Sequence, residues 1–221
     1  MELFYHHEGS PYVRKVLLVV NELDLRLNEH QVDMASREVM DRYGKINPNR
    51  KFPALRDGDL NLWESNAILL YLAHKVPDAG LHGKSTEESA LVNQWLFWEL
   101  AHFAGTVNFL VNHRLGFLPK PARAESDLAA ETRKLFQILD DQLRQGQFLT
   151  GSKPRLPDFA VAADLTYAKE AGLPLNQFAN VAAWMERISR RTSWQITEER
   201  KNRALAAFGV ELQSVKSVTK S

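Results

Sequence analysis

Three short stretches carry residue types that could do chemistry on a small ligand. Ser10-Pro11 stands where a short apolar strand, residues 2–5, gives way to a helix with Val13, Val16, Leu17 and Val20 at helical spacing. Serine is a favoured N-cap and proline a favoured first helical residue. A hydroxyl there can close the helix end, or it can donate to an anion such as a ligand thiolate, which the free helix-terminal amides also stabilise. A free thiol has a pKa of about 8.5, and lowering it by about two units takes roughly 2.7 kcal/mol of preference for the anion. One charge-assisted hydrogen bond and a helix terminus together supply that much. Downstream, Phe52-Pro53 precedes the start of a strand at Ala54-Leu55. Proline cannot donate to a ladder, so the backbone edge stays open, and a cis X-Pro bond costs only about 0.5–1 kcal/mol. Glu64-Ser65 then opens a helix with Ile68, Leu69 and Leu72 on one face, with Ser65 expected as N-cap. An open strand edge facing a helix N-terminus with a carboxylate and a hydroxyl makes a rim for a small, charged, peptide-like ligand.

The elements that must position these groups follow from hydrophobic period and punctuation. Residues 26–32 suit a second strand, and 36–44 a short helix ending at Gly44. Asp57-Gly58 signals a two-residue hairpin leading into an alternating strand, Leu60 to Trp63. The resulting βαβ-α-ββα order predicts an α/β domain over residues 1–76, a mixed sheet with helices on both faces. Residues 77–85, P-D-A-G-L-H-G-K-S, form a breaker-rich linker. Beyond it, residues 86–221 contain no strand pattern and predict an all-helical domain. Long helices are expected over 86–113 and 125–145, a buried one carries Phe159, Ala162, Ala163 and Tyr167, and shorter ones lie near 178–191 and 199–212. Pro119 and Pro121 break the chain, and residues 214–221 form a loose polar tail.

Composition narrows the function classes. The 221 residues are 44% hydrophobic and 25% charged with a net charge of +1, giving no electrostatic reason to expect nucleic acid or an anionic membrane. No run of apolar residues reaches membrane-spanning length and the start lacks signal-peptide character, so a cytoplasmic location is the expectation. The chain has no cysteine, which excludes a thiolate nucleophile, a disulfide and a thiolate metal site of its own. His102 and His113 share a helix face, but eleven residues of helix separate them by about 16 Å, too far to share a metal.

The ordered set N-P-x-x-K-F-P-A-L, D-G, L-W-E-S-x-A-I, read from Asn47 to Ile68, resembles the thioredoxin-like amino-terminal domain of soluble glutathione transferases, in their bacterial-like, serine-type form. The likeness extends over the whole chain, because an all-helical half follows. It implies that Ser10 donates to the glutathione sulfur. Its dithiol relatives place C-P-Y-C at this turn, where this chain has Ser10 and Val13, so dithiol chemistry is impossible. Tyr5 is the rival hydroxyl, since some branches use a tyrosine near the end of the first strand. The resemblance further assigns Glu64 and Ser65 to the γ-glutamyl amine and carboxylate, the Phe52 main chain before cis-Pro53 to the cysteinyl unit, and Arg50 or Lys51 to the glycyl carboxylate. An apolar electrophile would lie between the first loop and the helical domain, where His6, His7, Trp98, His102, Phe103, Phe109 and Tyr167 are candidates. The implied protein is a homodimeric, detoxifying transferase with glutathione as cosubstrate and no metal. Alternatives on the same fold are a glutathione-dependent dehalogenase, isomerase or peroxidase, or a non-catalytic ligand-binding or scaffold protein. One departure concerns stability: where the family starts a buried helix with Ser or Thr three residues before Asp158, this chain has Arg155, so only the carboxylate half of a capping box is expected, at a loss of about 1 kcal/mol.

Overall fold

A computed structural model describes residues 1–117 and 123–207. Pro119, Pro121, the end of the helix expected over 199–212 and the polar tail expected over 214–221 lie outside the described residues. The first half comprises β1 (Glu2–Tyr5), α1 (Pro11–Glu22), β2 (Asn28–Gln31), α2 (Arg37–Tyr43), β3 (Ala54–Asp57), β4 (Leu60–Trp63) and α3 (Ser65–Lys75). The four strands form one sheet in the order β2-β1-β3-β4, with β1 and β2 parallel and the other pairs antiparallel. This is the mixed sheet that the element order predicts, in the thioredoxin-like arrangement that the resemblance implies. β2 is shorter than the expected 26–32, because its only ladder partner is the four-residue β1, paired from Glu2↔Asn28 to Tyr5↔Gln31. The hairpin register pairs Asp57 with Leu60, so the two turn residues are Gly58 and Asp59 rather than Asp57 and Gly58. Gly58 takes φ 59°, a left-handed conformation that glycine adopts without a Cβ penalty.

Strand alternation divides the side chains between two layers. Leu3, Tyr5 and Leu55 face a large core with α1 and α3, whereas Phe4 and Ala54 face a smaller cluster with Val32, Val39 and Tyr43 beneath α2. The large core continues into the second half: α4 (Thr86–Trp98), α5 (Ala104–Arg114), α6 (Glu125–Leu143), α7 (Leu156–Asp164), α8 (Ala179–Ser189) and α9 (Thr192–Ala207). α7 is its axis, fully buried from Leu156 to Ala163 and packed against α1. Tyr167 lies beyond the end of α7, in the turn that follows it. The last described helix starts at Thr192, seven residues before the expected 199.

The predicted single helix over 86–113 is interrupted. Residues Glu99–Phe103 form a π-helical turn between α4 and α5. Such a bulge shifts the side-chain register of everything that follows. Here it accompanies a fully buried Glu99 whose carboxylate is bound by Lys15 and Asn66. Among the described residues no helix is long and apolar enough to cross a membrane.

The expected half-cap at α7 forms. The Asp158 carboxylate accepts from the Arg155 N–H at 2.9 Å. Arginine carries no acceptor, so the Asp158 N–H turns instead to the Arg155 carbonyl at 3.0 Å. The same carboxylate also accepts from the Leu149 N–H and the Trp184 indole, both at 2.9 Å, while the Arg155 guanidinium pairs with Glu88. Asp158 therefore ties three segments together and offsets the missing hydroxyl.

Candidate active site

Ser10 is extended (φ −68°, ψ 127°) and its carbonyl accepts the first helical bond from the Arg14 N–H at 2.8 Å. Its hydroxyl makes no capping hydrogen bond. Pro11 at the first helical position offers no N–H of its own, and the Ser10 amide makes only a long contact, 3.4 Å, to the His7 carbonyl. The helix end thus retains donor capacity beside a nearly buried hydroxyl, 7% exposed.

Ser10 borders a cleft of about 490 Å³ between the two halves of the chain. The Ser10 loop contributes His6, His7, Gly9 and Tyr12; α5 contributes Asn108 and Asn112, and α9 contributes Ala204 and Leu205, with Phe117 and Tyr167 completing the wall. Three of the predicted electrophile-side residues, His6, His7 and Tyr167, are therefore brought together with Ser10. Four are not. Phe103 is fully buried, Trp98 packs edge-on against Trp95 at 5.0 Å and beside Phe103 at 5.3 Å, and these rings continue the core towards Phe136. His102 and Phe109 are exposed on the helix exterior and do not border the cleft. The residues that sequence reasoning missed had a readable signal: Asn108 and Asn112 are four apart, so they share a helix face that Phe109 does not.

Burial lowers the pKa of His6 to about 4, with His7 adding to the shift, and burial likewise pulls His7 down. Both imidazoles are neutral at physiological pH, so this wall of the cleft is polar without being cationic. The His6 ring also lies 5.0 Å from the Phe52 ring, which stacks on Tyr43 at 4.5 Å. This contact joins the Ser10 loop to the proline loop.

The Phe52-Pro53 peptide is cis, and the ladder register begins after it, at Ala54. Tyr43 and Asn47 both donate to the Lys51 carbonyl at 2.6 Å, which fixes the chain just before Phe52. Of the two candidate cations, Arg50 (φ 54°) is tied to Asp41 at 2.9 Å, whereas Lys51 is exposed and makes no ion pair among the described residues. At α3 the structure corrects the expected cap. Glu64 occupies the N-cap with φ 70°, and Ser65 is the first helical residue; no side chain closes this end either. A non-glycine residue in that conformation costs on the order of 1–3 kcal/mol and persists only where its surroundings fix it.

A buried polar box links the N-terminal parts of α1 and α3. Lys15 of α1, fully buried, contacts Glu99 Oε1 at 2.8 Å and Asn66 Oδ1 at 3.3 Å. Asn66 in turn donates to Glu99 Oε2 at 2.7 Å and to the Leu96 carbonyl at 2.9 Å. Beside them Asn108 donates to the Asp164 carboxyl at 2.8 Å. Burial, reinforced by the neighbouring Glu99, pushes Asp164 well above the usual carboxylate range. Burial also pushes Glu99 up, but Lys15 and its hydrogen bonds bring it below its ordinary value. One ammonium thus supports the Glu99 carboxylate, while the neighbouring Asp164 is pushed towards its protonated form. Through this box the N-termini of α1 and α3, which carry Ser10 and Glu64-Ser65, are held at fixed positions.

Two helix starts without side-chain caps, a cis-proline just before the inner strand β3 and an adjoining cleft together suit a small thiol-peptide ligand on a thioredoxin-like domain. Comparison with known proteins agrees. The glutathione S-transferase N-terminal domain model matches residues 4–80 and the C-terminal domain model residues 100–192. Glutathione S-transferase D7 of Drosophila melanogaster is 26% identical over 197 residues, 86% of each chain. The crystal structure of poplar glutathione transferase F1 is similar with a TM-score of 0.82 and 26% identity, covering 92% of this chain and 100% of that one. Transferase URE2P6 from Phanerochaete chrysosporium, solved in complex with oxidized glutathione, has a TM-score of 0.81 and 25% identity over 92% of this chain and 96% of that one. The chain belongs to the glutathione S-transferase family and is a glutathione transferase.

Proposed function

We propose that the protein transfers the glutathione thiolate to an apolar electrophile, with Ser10 as the hydroxyl that keeps the sulfur ionised. The observation that carries this is the Ser10 hydroxyl itself: it sits at a helix N-cap without capping the helix, and it borders the cleft. Tyr5 is a poorer candidate. Burial pushes its phenol up to about 12, its hydroxyl faces Glu8 at 3.5 Å, and it does not border the cleft. In the same reading the Phe52 main chain meets the cysteinyl unit beside cis-Pro53. Glu64 meets the γ-glutamyl ammonium, and Ser65 with the α3 amides meets its carboxylate. Lys51, the unpaired cation, takes the glycyl carboxylate. The electrophile occupies the cleft beside His6, His7 and Tyr167.

The test is an ultraviolet titration of the bound thiolate with wild type and Ser10→Ala across a range of pH. The expected result is that wild type shows the thiolate band near neutral pH and Ser10→Ala requires a pH about two units higher. Equal titrations would leave the Ser10 hydroxyl no part in ionising the sulfur. Dehalogenase, isomerase and peroxidase chemistry would use the same thiolate, and a panel of alkyl halides, unsaturated ketones and hydroperoxides separates them. Absence of glutathione binding would instead favour a carrier or scaffold.

The reading includes a homodimer. On the outer face of the α4 region, Phe97 and Leu100 lie three residues apart and are 67% and 43% exposed, an apolar patch suited to burial against a second copy. Phe97→Glu is expected to convert a dimer to a monomer in light scattering; an unchanged mass would place the interface elsewhere.

A further inference from the structure

The Tyr167 hydroxyl donates to the Gly9 carbonyl at 2.7 Å, in a contact buried between the two halves of the chain. That carbonyl and the Ser10 N–H belong to the same peptide unit, so the bond fixes the plane from which Ser10 leaves the loop. The approach is close. A Cβ built on Gly9 would lie 2.6 Å from the Tyr167 hydroxyl oxygen and 3.2 Å from His7 Nδ1, so only glycine admits the tyrosine here. Burial holds the phenol far above its ordinary pKa, against the pull of Arg14, and it remains a donor at every pH of interest. Its ring is fixed as well, 5% exposed, with the Lys201 ammonium 5.4 Å from its centroid. On the other side of the loop, Arg200 pairs with Glu8 at 2.6 Å. The loop that carries Ser10 is thus gripped at consecutive residues by the helical half.

We propose that Tyr167 is a positioning residue for Ser10: its hydroxyl, arriving from the helical half, holds the Gly9–Ser10 peptide so that the Ser10 hydroxyl faces the thiolate. This gives Tyr167 a role distinct from contact with the electrophile. Its hydroxyl is committed to the loop. The inference rests on the reading of Ser10 as the activating hydroxyl.

Tyr167→Phe removes one oxygen and keeps the ring in the core. The experiment compares wild type, Ser10→Ala, Tyr167→Phe and the double variant. It reads the pH titration of the bound thiolate, kcat and KM with chlorodinitrobenzene as electrophile, and Tm. For Tyr167→Phe the apparent thiol pKa is expected to rise by about half to one unit, leaving roughly three- to tenfold less thiolate at about pH 6. kcat falls by the same factor there and recovers at high pH, while KM for glutathione changes by less than about twofold. The double variant is expected to titrate like Ser10→Ala alone, because Tyr167 acts through Ser10. If Ser10→Ala shifts the titration and Tyr167→Phe lowers only Tm, the hydroxyl is merely structural and the inference is overturned. Additive shifts in the double variant also overturn it, since Tyr167 would then act independently. If Ser10→Ala leaves the titration unmoved, the Ser10 reading fails and this inference falls with it.

Discussion

Lys15→Met gives a direct test of how the two helix starts are held together. Lys15 and Glu99 are both fully buried and meet at 2.8 Å, with Asn66 bridging them. Methionine fills nearly the same volume, so the cost is electrostatic rather than a cavity. Removing one partner of a buried ion pair leaves an uncompensated charge and typically costs about 3–5 kcal/mol, a large share of a total stability of about 5–15 kcal/mol. The cost depends on pH in a definite direction. In wild type, Lys15 and the hydrogen bonds to Glu99 outweigh burial and keep its carboxyl below the ordinary value, so this group adds stability that is present above its unfolded pKa and lost on acidification. In Lys15→Met the largest of those pulls is gone and burial prevails, so the folded variant binds a proton that the unfolded chain releases. The gap between the two proteins therefore widens as pH rises. Urea unfolding at about pH 8 is expected to show a loss of about 3 kcal/mol or more, shrinking by about 1 kcal/mol or more at about pH 5.5. A loss below about 1 kcal/mol at the higher pH, or a gap that grows on acidification, would refute the assignment of a charged pair. Glu99→Gln is expected to cost less than Lys15→Met, because Asp164 can release its proton and take over as counter-ion.

Two further outcomes follow from individual residues. Lys51→Ala should raise KM for glutathione about two- to fivefold with kcat unchanged, and Arg50→Ala should not, since Arg50 is already tied to Asp41; the reverse ranking in steady-state kinetics would give the glycyl contact to Arg50. Asp158→Ala orphans the three N–H groups of Leu149, Arg155 and Trp184 and should cost about 3 kcal/mol or more in denaturant unfolding. Burial pushes the Asp158 carboxyl up to about 6, above its unfolded value, so its contribution is full below about pH 4 and declines as pH rises through 6. The gap between wild type and Asp158→Ala should therefore narrow between those pH values, and a widening gap would show that the carboxyl is ionised throughout.

What the sequence made legible, and what it hid, follows from the range of the interactions. Ser10-Pro11, Phe52-Pro53 and Glu64-Ser65 are local signals, each a few residues long, and punctuation of that kind is readable because backbone geometry demands it. The period-2 alternation that puts Leu3 and Leu55 on the core face is a local feature of the same kind. The aromatic residues of the second half were harder, because helical period reports that a face is apolar without saying which apolar neighbour it meets. Trp98 and Phe103 belong to a row of rings running to Phe136, while the polar pair Asn108 and Asn112 faces the cleft. The π-helical turn at Glu99–Phe103 compounds the difficulty, since an extrapolation at 3.6 residues per turn loses register across it. Least visible were the contacts across 84 and 158 residues of sequence, Lys15 with Glu99 and Gly9 with Tyr167. A glycine before a helix reads as an ordinary loop residue, and a lysine inside an apolar helix face reads as an irregularity. Both are explained only by groups from the helical half: Gly9 lacks a Cβ because a tyrosine hydroxyl needs that space, and Lys15 is tolerated in the core because a buried carboxylate answers it. The helical half thus does more than wall the cleft, for it supplies the contacts that hold Ser10 and the Glu64-Ser65 turn in place.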